Sequence, residues 1–191
     1  MISAKDYFRH FIADDVIRQL NHDLVNEILK YKPRAVFEFG AGQGKNLELI
    51  LNEMDAGYYY FPTPKVFGID ISPKAIEQAY EKGREYVTTA DENALKQFPN
   101  RLTDISFTCS VLDHIEHEIT VDHILTDLKR ISKKAVILLE TERHTPSSFY
   151  YYHPYEEYGF KKLNNYQYLS TESDGGDGSM YYIWKWERDK K

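Results

Sequence analysis

Apolar residues fall along this chain in two alternating rhythms. Short β-branched and aromatic runs are separated by stretches whose apolar positions recur at helical spacing, and that alternation predicts strands and helices in turn. Residues 5–12 and 14–31 read as helices. Asp14 caps the second, and Val16, Ile17, Leu20, Leu24, Ile28 and Leu29 line one of its faces. Strands are predicted at 35–39, 66–70, 86–90, 105–109 and 135–139, with helices over 44–55, 73–82 and 117–131 between them. Ser72-Pro73 marks the start of the helix at 73, because serine caps a helix and proline fits its first position. The carboxyl-terminal part differs in kind. Residues 160–169 and 179–187 flank Asp174-Gly175-Gly176-Asp177-Gly178, a hairpin signal that predicts antiparallel pairing.

Strands alternating with helices build a parallel sheet covered on both faces. The expected fold is therefore α/β: a single domain with a mainly parallel seven-stranded sheet, helices on both faces and a C-terminal antiparallel hairpin. Residues 1–32 form an N-terminal helical segment and residues 33–191 the main body. The 191 residues suffice for one full core, and no linker, repeat or low-complexity tract divides them.

One run concentrates the candidate chemistry. The first strand, Ala35-Val36-Phe37-Glu38-Phe39, passes into Gly40-Ala41-Gly42-Gln43-Gly44 and then into a helix. Strand, glycine turn and helix bring bare backbone against a nucleotide-like ligand, since side chains there would block close approach. The dinucleotide fingerprint is G-x-G-x-x-G, whereas here the third glycine follows the second by two residues. Glu38 would meet a pyrophosphate with like charge, yet it suits a ligand that carries an ammonium group.

The spacing Glu38-x-Gly40-x-Gly42-x-Gly44 resembles the first motif of the class I S-adenosylmethionine-dependent methyltransferases. The resemblance covers about residues 33–188, and the order of elements is similar throughout. It implies S-adenosylmethionine as cofactor and the body of the chain as its binding domain. Carried over position by position, it places Glu38, Gly40, Ala41 and Gly42 against the cofactor. Asp70, closing the second strand, would span the ribose hydroxyls, with Ile71 beside it. Asp91 and Glu92, after the third strand, would face the adenine. Cys109 and Ser110, ending the fourth strand, would line the methionine and methyl end. Two bland roles compete at the third position: Glu92 as a cap of the next turn and Asp91 as a solvated loop acid. His153-Pro154-Tyr155 resembles the family's approach to its sixth strand.

Composition narrows the partners. A net charge of −6 argues against a general nucleic-acid binder, which would show a basic face. The amino terminus has no signal-like apolar run and no stretch is long enough to span a bilayer, so a cytoplasmic protein without a membrane partner is expected. The single cysteine, Cys109, excludes an internal disulfide and any multi-cysteine metal site, and no histidine spacing suggests a metal. The aromatic run at 57–64, on the face opposite the strand carboxyl ends, would pack locally or form a homo-oligomer contact.

Methyl transfer to a hydroxyl requires a base, and the strand ends offer His114, Glu142, His144 and His153. His114 and His144 are the catalytic candidates, each weighed against a packing or loop role. Arg143 would clamp an acidic acceptor or balance Glu140 and Glu142. No Asn/Asp-Pro-Pro-aromatic segment follows the fourth strand, which sets aside methylation of DNA bases by that route. The expected function is methylation of a small-molecule acceptor, on oxygen ahead of nitrogen. Alternatives are an RNA or protein methyltransferase and a silent module that binds cofactor or a partner. The turn at 171–178, with its three glycines and acids, reads either as a solvated turn or as a mobile rim of the acceptor pocket.

Overall fold

The computed structural model describes residues 14–53, 65–141, 151–169 and 180–189. The helix expected at 5–12, the aromatic run at 57–64, the residues Glu142, Arg143 and His144, and the turn at 171–178 lie outside the described residues.

Helix α1 (Asp14–Leu29) precedes strand β1 (Ala35–Phe39), helix α2 (Lys45–Glu53) and strand β2 (Lys65–Asp70). Helix α3 (Pro73–Tyr80), strand β3 (Val87–Thr89), a 3-10 turn (Glu92–Gln97) and strand β4 (Thr103–Cys109) follow. A second 3-10 turn (Leu112–His114) leads to helix α4 (Glu118–Ile131), and β5 (Ser132–Thr141), β6 (Lys161–Leu169) and β7 (Met180–Glu187) complete the sheet. The strand order is β3-β2-β1-β4-β5-β7-β6. The first five strands pair in parallel, and β7 pairs antiparallel with both β5 and β6, as the hairpin signal predicts. The order reverses at β1, whose neighbours are β2 and β4, so the crevice at its carboxyl end is the place where such sheets take ligands.

Strand alternation sorts the core into two layers. Val36, Ile105, Phe107, Ile137, Leu139 and Ile183 face one side and pack with Leu24, Val25 and Ile28 of α1 and with Leu47 and Ile50 of α2. Phe37, Val136, Leu138 and Trp184 face the other side, where α4 buries Val121, Ile124, Leu125, Leu128 and Ile131. Each such side chain contributes about 1.5–3 kcal/mol when buried, so both layers are needed for one stable domain. At α3, Ser72 Oγ accepts from the Ala75 amide at 3.3 Å and Pro73 occupies the first turn.

Two strands run longer than their apolar cores suggest. β4 begins at Thr103, ahead of the apolar core at 105, and β5 extends over Ser132–Thr141 instead of 135–139. The added residues are polar but satisfied. Ser132 Oγ donates to Ser106 Oγ at 2.7 Å, and Thr103 Oγ1 lies 3.0 Å from the same Ser106 oxygen. A hydroxyl network inside the sheet admits residues that hydropathy alone assigns to loops. No helix among the described residues is long and apolar enough to cross a membrane.

Candidate active site

The carboxyl ends of β1, β2 and β4 meet around the glycine turn. Gly40 and Ala41 donate to Ile69 O at 2.9 Å each, tying the turn to β2, and Gly44 donates to Ala41 O at 2.8 Å as α2 begins. Gly40 and Gly42 both have positive φ, at 73° and 51°, which glycine adopts without strain. Their surroundings differ. A Cβ on Gly40 would lie 2.3 Å from Val111 Cγ2, whereas a Cβ on Gly42 would meet nothing within 4 Å. Gly40 is therefore a packing position, and Gly42 is the open part of the cradle.

Glu38 is 1% exposed beneath this turn. Its Oε1 accepts from Asn46 Nδ2 at 2.7 Å, while its Oε2 is buried without a partner. Asn46 Oδ1 is likewise buried and without a partner. Burial pushes the Glu38 carboxyl up to about 8, the Asn46 bond counters it, and the Asp70 charge adds to the rise. Two adjacent acceptor atoms thus lack a donor. Asn46, in the first turn of α2, has no assignment from sequence, because its pairing with Glu38 depends on how that helix starts.

Asp70 bridges two loops. Its Oδ2 accepts from the Gly42 amide and its Oδ1 from the Ser72 amide, both at 2.8 Å. Each oxygen keeps a lone pair for a further donor. Ile71, directly after it, is 74% exposed, an apolar side chain held open at the rim. Beyond β3, Asp91 takes the capping role that sequence offered to Glu92: it accepts from the Asn93 amide at 3.0 Å. Glu92 instead borders a small surface recess with Lys96, Thr120, His123 and Asp127, between the 3-10 turn and α4.

The end of β4 is a tight loop. Ser110 has φ 52°, an uncommon conformation for a residue with a side chain, and its amide donates to Leu139 O at 2.8 Å. Cys109 Sγ lies 3.7 Å from Asn21 Oδ1 of α1. Burial pushes the Cys109 thiol well up, with the Glu38 and Glu140 charges adding to it, so it stays a neutral thiol rather than a nucleophile. His114 Nε2 sits 3.5 Å from Asp113 Oδ1. Asp113 is fully buried, and its other oxygen accepts from Thr141 Oγ1 at 2.9 Å.

His153 packs behind this loop, 2% exposed, with Nε2 2.9 Å from Leu112 O. Burial lowers its pKa, and its location makes it a support of the loop instead of a base facing the crevice. Glu140, at the end of β5, is also fully buried and accepts from Thr108 Oγ1 at 2.6 Å and from the amides of Val111 and Leu112 at 3.0 and 3.2 Å. Burial and the neighbouring Asp113 charge push its carboxyl up. Neither Asp113 nor Glu140 stands out in sequence as buried. An acid at a strand end reads as solvated until the loop above it is seen.

A model of the methyltransferase domain family matches residues 37–139, more than half of the 191-residue chain. The chain belongs to this family. Membership makes it a methyltransferase that uses S-adenosylmethionine. Among curated proteins no significant sequence relative is found. Solved structures share the fold at low identity. A SAM dependent methyltransferase from Archaeoglobus fulgidus is 16% identical with TM-score 0.62, covering 90% of this chain and 94% of that one. Magnesium protoporphyrin IX methyltransferase from Synechocystis PCC 6803, solved with bound SAH, is 17% identical with TM-score 0.63, covering 91% and 84%. The 1,6-didemethyltoxoflavin-N1-methyltransferase of Burkholderia thailandensis is 11% identical with TM-score 0.60, covering 90% and 79%.

Proposed function

We propose that this methyltransferase binds S-adenosylmethionine along the carboxyl ends of β1 to β4 and methylates a small-molecule acceptor, on oxygen. The observation that carries the cofactor position is the pair of buried acceptors without donors, Glu38 Oε2 and Asn46 Oδ1. Unpaired buried acceptors are costly, and the ammonium of the methionine moiety supplies the donors that both lack. The rest of the cradle fits the same group. Gly42 leaves open space for close approach, and Asp70 keeps a lone pair on each oxygen for the ribose hydroxyls. Ile71 offers an apolar surface for the adenine, with Asp91 and Glu92 bordering that end. Gly40 and Ala41 shape the turn, and Cys109 and Ser110 lie at the methyl end.

When bound, the cofactor presents a sulfonium methyl group to the acceptor, and the leaving thioether needs no acid. What the chain supplies is orientation and removal of the acceptor's proton. His114, half-buried with Nε2 3.5 Å from Asp113 Oδ1, is the base in this proposal, since it is an imidazole held on the loop at the carboxyl end of β4. His144 remains a second candidate from sequence. A small acceptor is supported by the net charge of −6, which disfavours a polyanion. Two neighbours of the same fold are named for protoporphyrin and toxoflavin precursors.

The test is calorimetry with S-adenosylhomocysteine, followed by a methyl-transfer screen over hydroxyl, carboxyl and amine acceptors. Binding that Asp70→Ala weakens by about 30- to 1000-fold supports the cofactor position. Wild-type protein that ignores S-adenosylhomocysteine overturns it. Turnover confined to RNA or protein acceptors would overturn the choice of a small molecule.

A further inference from the structure

Glu140 has a set of partners that its sequence position does not suggest. All of them are donors: Thr108 Oγ1, the Val111 amide and the Leu112 amide. Two successive backbone N–H groups converging on one carboxyl form a nest, the concave arrangement that captures phosphate and carboxylate ligands elsewhere. In this chain the nest is filled from within. The loop reaches that shape through the positive φ of Ser110, so the backbone is bent toward the carboxylate at the cost of a disfavoured conformation.

The nest lies one contact from the glycine turn. Val111, whose amide Glu140 holds, packs its side chain over Gly40 so closely that a Cβ there would clash at 2.3 Å. Gly40 and Ala41 in turn hang from Ile69 O. A continuous path therefore runs from the end of β5, through the loop after β4, to the loop after β1. We propose that Glu140 is a positioning residue for the glycine turn: its carboxylate locks the loop Ser110–His114 and thereby presses Val111 onto Gly40.

A purely structural role does not account for this choice of side chain. A buried charge is costly, and a well-packed apolar residue of similar size is generally as stable. A carboxyl offers what an apolar residue cannot, a single group on which two amides and a hydroxyl converge.

The proposal uses the cofactor assignment only where S-adenosylhomocysteine serves as probe, so two readouts are combined. The first is amide hydrogen exchange by NMR on the full chain. In Glu140→Gln the amides of Val111, Leu112 and Asp113, and those of Gly40 and Ala41, are expected to exchange about 100-fold faster, while Phe107 and Ile137 in the sheet are unchanged. The second is a double-mutant cycle read as S-adenosylhomocysteine affinity. Glu140→Gln and Val111→Ala each weaken binding by about tenfold, and the double variant is no weaker than Glu140→Gln alone, because both act through one contact.

Unchanged exchange at 40–41 and 111–113 in Glu140→Gln overturns the proposal, and so do additive losses in the cycle. If Glu140→Gln does not fold, Val111→Ala decides: faster exchange at Gly40 and Ala41 upholds the path, and wild-type exchange there overturns it. Wild-type protein that binds no S-adenosylhomocysteine would refute the cofactor assignment, and the exchange arm would still decide the role of Glu140.

Discussion

Glu38→Gln separates what stabilises this fold from what serves its ligand. In the free protein the Glu38 carboxyl is pushed from 4.5 to about 8, chiefly by burial. That displacement corresponds to about 5 kcal/mol against the charged form. The sign follows from linkage. Below pH 4.5 the carboxyl is protonated in both folded and unfolded chains and costs nothing. Between 4.5 and about 8 the unfolded chain releases its proton and the folded chain keeps it, so stability falls as pH rises, by about 1.4 kcal/mol per pH step. Gln keeps the shape and the Asn46 contact but has no proton to release. Chemical denaturation at pH 5, 6.5 and 8 should therefore show the variant gaining progressively on wild type, by several kcal/mol at pH 8. S-adenosylhomocysteine should reveal the opposite preference. Its ammonium calls for the ionised carboxylate, so wild-type affinity should rise nearly tenfold per pH step up to about 8, with one proton released on binding. The variant should bind weakly at every pH and release none. Parallel stability curves for the two proteins from pH 5 to 8 would refute the reasoning, because Glu38 would then titrate alike folded and unfolded.

Three other outcomes are expected. Asp70→Asn should retain more S-adenosylhomocysteine affinity than Asp70→Ala, since one of the two amide contacts survives; equal losses measured by calorimetry would argue that the lost charge alone matters. Gly40→Ala should lower the melting temperature more than Gly42→Ala, because both methyls sit at positive φ and only the first also meets Val111, while the Gly42 methyl should weaken binding by narrowing the cradle. Equal melting temperatures for the two alanine variants would count against the packing role of Gly40. His114→Gln should depress turnover by about 10²–10⁴-fold on a hydroxyl acceptor with cofactor affinity unchanged. Loss of cofactor binding in that variant would assign His114 to the structure of the loop instead.

Local patterns were sufficient for the elements and their class. Alternating apolar runs located all seven strands and the helices among the described residues, because a strand or helix face must be apolar wherever it packs. Ser72-Pro73 located the start of α3, and the glycine-rich turn near 174 announced the antiparallel β6–β7 pair, since both signals act through the backbone of a few residues. The glycine spacing after Glu38 likewise marked the crevice at β1. Long-range pairing decided the rest. Nothing near Gly40 in sequence says that Val111 covers it, and nothing near Glu140 says that two amides from the loop after β4 will converge on it. Asn46 and Glu38 become partners only once α2 has formed, and Ser132 joins the sheet by pairing with Thr103, where Ser106 Oγ lies 2.7 Å from its hydroxyl. A sequence states which side chains carry charge or a hydroxyl. Whether that group is solvated, paired or stranded depends on what the fold brings within about 3 Å, a distance across which hydrogen bonding outweighs local propensity.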